Sequence, residues 1–69
     1  MFPNDVVSRA WTRTNGRCEK CGKLLTRGNR GRSGRGCWEA HHSNPARKGG
    51  TDSLRNCRIL CWECHSKTF

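Results

Sequence analysis

The sequence predicts a single small α+β domain over residues 1–69, its elements running helix, knuckle, loop, strand, loop, strand, helix. Three observations lead there. With 69 residues, the chain is too short to rely on a large buried core and needs some other brace. Six cysteines include two C-x-x-C pairs, Cys18/Cys21 and Cys61/Cys64, far apart in the chain. Between them, short apolar runs alternate with turn-forming stretches, and nothing repeats beyond the two pairs.

The first element is the stretch PNDVVSRAWTRTNG, a helix with Asn4 as expected N-cap and Asp5 in the first turn, where the helix dipole favours an anion. Gly16 follows its end. Val7, Ala10, Trp11 and Thr14 share one face; Arg9 and Arg13 lie elsewhere on the cylinder. In CEKCGK, Gly22 permits the tight backbone that lets two thiolates face one ion. Residues 26–36, TRGNRGRSGRG, combine four glycines with Arg27, Arg30, Arg32 and Arg35 and lack periodicity, the composition of a flexible basic loop. CWEAHH then reads as a strand, SNPARKGGTDS as a turn-rich loop, LRNCRIL as a second strand, and CWECHSKTF as a helix opened by the second cysteine pair. The expected core is Val6, Val7, Trp11, Leu24, Leu25, Trp38, Leu54, Ile59, Leu60 and Trp62.

Lys and Arg number 14 against 5 acidic residues, giving a formal charge of +9 and a pI near 10.1. A polyanion is the expected partner. Nucleic acid is favoured over a membrane, because no apolar run approaches the roughly 18–20 residues that span a bilayer. Arginines 27, 30, 32 and 35 are expected to follow a nucleic-acid backbone without reading bases. The first residues, MFPNDVVSRAW, show no charged n-region followed by an apolar h-region, so a cytoplasmic setting with reduced thiols is expected.

In that setting paired C-x-x-C motifs point to metal rather than disulfides. Cys18, Cys21, Cys61 and Cys64 are the expected ligands of one structural, tetrahedral Zn²⁺. A zinc ribbon separates its knuckles by roughly 15–20 residues, and the interval here is about twice that. Something is enclosed, and it includes His41 and His42. Cys37 and Cys57 receive no metal role and are expected to be small buried residues.

Cys64 and His65 are consecutive in a helix and point about 100° apart, so His65 looks into a pocket beside the zinc site. In a regular strand His41 and His42 would face opposite ways. For both to serve one site, the strand is expected to lose its regularity there, with Ser43-Asn44-Pro45 supplying the break.

The series His41-His42, Gly49-Gly50 with Asp52, Asn56 and Cys61-x-x-Cys64-His65 resembles the HNH endonucleases, in particular stand-alone phage and bacterial members with a four-cysteine zinc frame. The likeness runs from about Val6 to Thr68. It implies a ββα-metal (His-Me finger) fold and a metal-dependent DNA endonuclease that nicks by a one-metal mechanism. By that likeness His42 is the general base, His41 and His65 hold the catalytic ion, Asn56 braces the loop after the first strand, and Glu39 orients a neighbouring cation or histidine. Many members carry aspartate where His41 stands, although colicin-type DNases share the histidine. An all-imidazole pair leaves Mg²⁺, Mn²⁺, Co²⁺, Ni²⁺ and Zn²⁺ in competition.

The expected partner is double-stranded DNA with low sequence specificity, bound by a monomer or weak dimer in a bacterial or phage-infected cell. The alternative is a non-catalytic zinc-ribbon module that grips nucleic acid without cutting it. A structural zinc domain within an assembly is a third reading, compatible with cutting.

Overall fold

A computed structural model describes residues 2–45 and 49–67. The first helix, α1, spans Asn4–Thr14. Its N-cap is Pro3 rather than the expected Asn4, in an extended conformation (φ −60°, ψ 152°), and Asn4 is already helical. Proline's fixed φ makes it a ready-formed lead-in to the helix, and its carbonyl accepts the first helical bond, from Val7 N–H at 3.1 Å. At the other end Asn15 is left-handed (φ 55°) and Gly16 follows at φ 71°. A Cβ at Gly16 would stand 3.0 Å from the Trp11 ring. Backbone sign and space both require glycine there.

Strands β1 (Trp38–His42) and β2 (Cys57–Cys61) form one antiparallel pair, in register from Trp38↔Cys61 to His42↔Cys57. The second strand begins three residues later than expected. Leu54–Asn56 instead form a 3-10 turn that carries the Asn56 side chain inward, to 8% exposure. Cys61 ends β2 and caps the short helix α2 (Trp62–Ser66), its Sγ accepting from Cys64 N–H at 3.4 Å. The helix expected over 61–69 is therefore one short helical run; residues 68 and 69 lie outside those described.

Helix α1 packs on β2, and α2 packs against both strands. Phe2, Val7, Ala10, Leu25, Trp38, Ile59 and Leu60 make the core together with Cys18, Cys57 and Cys61, with Val6, Trp11 and Leu54 on its flank. Two expected core residues are on the surface: Leu24 is 64% exposed and Trp62 42%. Leu24 and Leu25 are neighbours in extended chain, where one can point inward, and Leu25 does. Cys37 and Cys57 are buried, as expected of free thiols.

One guanidinium ties three segments together. Arg13 donates to Glu19 Oε2 (2.8 Å), to the Cys57 carbonyl (2.6 Å) and to the Leu54 carbonyl (3.1 Å), and the same Glu19 oxygen accepts from Ile59 N–H at 2.6 Å. Hydrogen bonds to charged groups contribute about 1.5–3 kcal/mol each, less where water competes. Arg13→Ala is expected to cost about 2–3 kcal/mol, read as a lower urea midpoint with an unchanged m-value.

Residues 26–36 carry more fixed structure than their composition predicts. Arg27–Asn29 form a 3-10 turn; Thr26 N–H donates to Gly36 O (2.9 Å), Gly31 N–H to Trp38 O (2.8 Å) and Trp38 Nε1–H to Thr26 O (3.0 Å). The Arg27 guanidinium lies 5.5 Å from the Trp11 ring centroid and 5.3 Å from that of Trp38. Arginine packs on aromatic faces through its planar head and apolar stem, a contact that apolar periodicity does not register. Among the described residues no helix is long and apolar enough to cross a membrane.

Candidate functional site

The two cysteine pairs meet at the junction of the Cys18–Gly22 knuckle with the β2–α2 corner. The Sγ atoms of Cys18, Cys21, Cys61 and Cys64 lie within 4.8 Å of one another. A tetrahedral ion with metal–sulfur bonds of about 2.3 Å needs sulfurs about 3.8 Å apart; Cys21 and Cys61 stand at 3.7 Å. Backbone amides already point at sulfur, Lys20 N–H to Cys18 and Cys64 N–H to Cys61, both at 3.4 Å.

The electrostatics also call for a cation. Burial pushes the Cys18 thiol up, yet amide donors from Cys21, Cys61 and Lys20 outweigh it and bring the group down to about 6. Cys64 is pushed up to about 12, by burial first and then by its thiol neighbours. Four thiolates cannot coexist in this space without a positive ion among them. The four cysteines can hold a metal ion, and the all-sulfur tetrahedral set suits Zn²⁺.

His41 and His65 meet beside this frame, and His42 ends the same strand as His41. Strand β1 stays regular through both His41 and His42, paired with Arg58 and Cys57. The expected loss of regularity at the pair is thus corrected: pairing continues through His42, the last residue of the strand, the chain turns only after it, and His42 still acts electrostatically on His41. His41 meets His65 of α2 edge-on, ring centroids 5.4 Å apart. Burial first, then the neighbouring His65 and His42, hold His41 below the ordinary histidine range. That favours the neutral imidazole a metal ligand must be.

His42, at the end of the strand, makes its own contacts. Its ring stacks on Phe2 with centroids 4.0 Å apart, and its Nε2 lies 2.7 Å from Asp52 Oδ1. The hydrogen bond from His42 holds the Asp52 carboxyl below the usual carboxylate range. An ionised carboxylate can only accept, so in the neutral ring Nε2 carries the hydrogen and Nδ1 is the basic nitrogen.

Asn56 fixes the loop between them. Its Oδ1 accepts from Asn44 N–H (2.6 Å), its Nδ2 donates to the carbonyls of Asn44 (2.9 Å) and Thr51 (2.7 Å), and its own carbonyl accepts from Ser43 N–H (3.0 Å). The loop closes so tightly that a Cβ at Gly50 would collide with the Asn44 carbonyl oxygen. Asn56→Ala would strand three backbone groups at once, and a loss of about 2–3 kcal/mol in thermal or urea unfolding is expected.

Residues 18–68, most of the chain, match the HNH endonuclease family. The chain belongs to that family. It is also 35% identical, over 71 aligned positions covering 94% of its length, to the type IV methyl-directed restriction enzyme EcoKMcrA of Escherichia coli (strain K12). The chain spans 24% of that protein. In this HNH domain β1, β2 and α2 form the ββα unit, with the cysteine cluster bracing its far side.

The remaining expected site residues of the HNH domain divide. Glu39 shares a strand face with His41, but its Oε1 is engaged by Arg30 Nε (2.8 Å) and by Ala40 N–H (2.8 Å). Arg27, although exposed, rests its guanidinium on the two tryptophans, and Arg30 is half-buried and paired with Glu39, whereas Arg32 and Arg35 are exposed. Asp52 received no role from the sequence; its signal was a carboxylate just beyond a Gly-Gly turn that follows a histidine. Arg13 and Phe2 carried no comparable signal, since their contacts depend on tertiary closure.

Proposed function

We propose that this HNH domain is a metal-dependent DNA endonuclease that hydrolyses phosphodiester bonds, nicking one strand at a time with His42 as general base. The observation that carries the reading is the approach of His41 to His65 at the end of the ββα unit, with His42 next in the chain. Family membership and a restriction-enzyme relative support DNA as the substrate.

In this reading His41 and His65 hold one divalent cation, drawn from Mg²⁺, Mn²⁺, Co²⁺, Ni²⁺ or Zn²⁺. Such an ion, when bound, supplies Lewis-acid stabilisation of charge on a phosphate oxygen and the leaving O3′. His42 accepts a proton from the attacking water at Nδ1, with Asp52 holding the hydrogen on Nε2 and Phe2 fixing the ring plane. Asn56 acts by positioning the loop that follows His42. Glu39 acts through Arg30, setting the wall of the site. The Cys18/Cys21/Cys61/Cys64 cluster takes structural Zn²⁺. Double-stranded DNA bound with low sequence specificity, by a monomer or weak dimer in the cytoplasm, fits the +9 charge of the chain.

Metal stoichiometry tests the reading against a non-catalytic zinc-ribbon module. The nuclease is expected to hold one tight zinc and a second, exchangeable divalent ion, the second lost in His41→Ala and His65→Ala while the zinc is retained. One metal per chain with no plasmid nicking under any ion would leave the binding module. On duplex DNA, Arg32→Ala and Arg35→Ala are each expected to lower the log–log salt slope by about 0.9, the value for one neutralised phosphate. Arg27→Ala should instead lower stability, because that guanidinium packs on Trp11 and Trp38.

A further inference from the structure

Trp62 has no part in the reading above and breaks an elementary rule: a large indole, 42% exposed, in the first turn of α2. It does not stand alone. A groove of about 200 Å³ separates α2 from the basic loop, lined by Arg32, Ser33, Trp38, Glu39, Trp62 and His65 among others. One wall is thus a flat aromatic, another a free guanidinium, and one end is a histidine of the proposed cutting site. The acidic member does not oppose an anion, because Glu39 is neutralised by Arg30 at 2.8 Å.

We propose that this groove takes one unstacked base of the DNA strand beside the cut, its face on the Trp62 indole and its phosphate on Arg32. The proposal rests on the nuclease reading for its substrate. The size of the groove favours a single planar ring: it lies below the roughly 300–1,000 Å³ of pockets that enclose whole small ligands. Charge complementarity favours nucleic acid over an apolar peptide. Continuity through His65 places the base within about one nucleotide of the proposed scissile phosphate. Aromatic stacking accepts any base, in keeping with low sequence specificity.

The test uses the zinc-loaded full chain carrying His42→Ala, titrated with a fluorescein-labelled single-stranded oligonucleotide and with the same sequence as duplex. Trp38 is 1% exposed and Trp11 partly buried, so Trp62 is the indole open to a base. Single strand is expected to quench tryptophan emission. Trp62→Leu should abolish the quench and weaken single-strand affinity about 5- to 150-fold, the range for losing one base–aromatic stack, while Trp62→Phe restores most of the affinity. Unquenched emission at an anisotropy plateau, or unweakened binding by Trp62→Leu, would overturn the proposal. Should Trp62→Leu lose its zinc, the parent's quench and a several-fold loss in Arg32→Ala decide instead. Quenching by His42→Ala together with a parent chain that nicks nothing under any of the divalent ions would sink the nuclease reading and leave the stacking groove; nicking by the parent without quenching by His42→Ala would do the reverse.

Discussion

Chelating the metal from the four-cysteine site is expected to unfold the protein. Structural zinc in small domains contributes on the order of 10–16 kcal/mol of apparent binding free energy, coupled to folding. Typical net stabilities are about 5–15 kcal/mol, so the ion outweighs what the short core can supply. The four ligands bracket both strands and the basic loop: Cys18 and Cys21 follow α1, and Cys61 and Cys64 join β2 to α2. Without a cation, the position of Cys64 near 12 means the cluster stays part-protonated at neutral pH, and four sulfurs at this spacing lose their common attraction. Loss of native circular dichroism on complete zinc removal is the expected readout. Cys61→Ser should abolish folding, while Cys37→Ser, buried outside the cluster, should keep both fold and zinc. A native spectrum in the zinc-free chain would refute this account of its stability.

His42→Ala is expected to lower the nicking rate by about 10²–10⁴-fold, the usual contribution of a positioned general base. DNA affinity should persist, because the substitution leaves the exposed guanidiniums of Arg32 and Arg35 in place. The substitution removes a ring stacked on Phe2 and a hydrogen bond to exposed Asp52. Phe2 is a core residue at 4% exposure, so a native circular dichroism spectrum and retained zinc are measured alongside, and lost cleavage in the folded variant reports on chemistry.

Local signals carried much of the architecture. The span of α1 followed from a 3.6-residue pattern and a glycine stop. The cysteine cluster followed from spacing, since two C-x-x-C turns in the reducing setting expected from the sequence leave few other uses. What sequence reasoning placed wrongly depended on closure in three dimensions. LRNCRIL has the composition of a continuous strand, yet Asn56 finds three backbone partners only if Leu54–Asn56 turn first. Trp62 and Leu24 look like core by hydropathy, but their neighbours Cys61 and Leu25 take the inward positions. The Gly/Arg segment looks featureless because a guanidinium resting on two adjacent tryptophans leaves no trace in apolar periodicity. At the site, the motif named the three histidines, while their contacts depend on folding: His41 with His65, His42 with Asp52.

Cleavage of supercoiled plasmid by zinc-loaded parent and His42→Ala proteins, side by side across Mg²⁺, Mn²⁺, Co²⁺ and Ni²⁺, tests the central claim most directly. The account predicts conversion to nicked circles by the parent with at least one of these ions, and at least about a 100-fold slower conversion by the variant at equal DNA occupancy. Equal rates for the two proteins would contradict it.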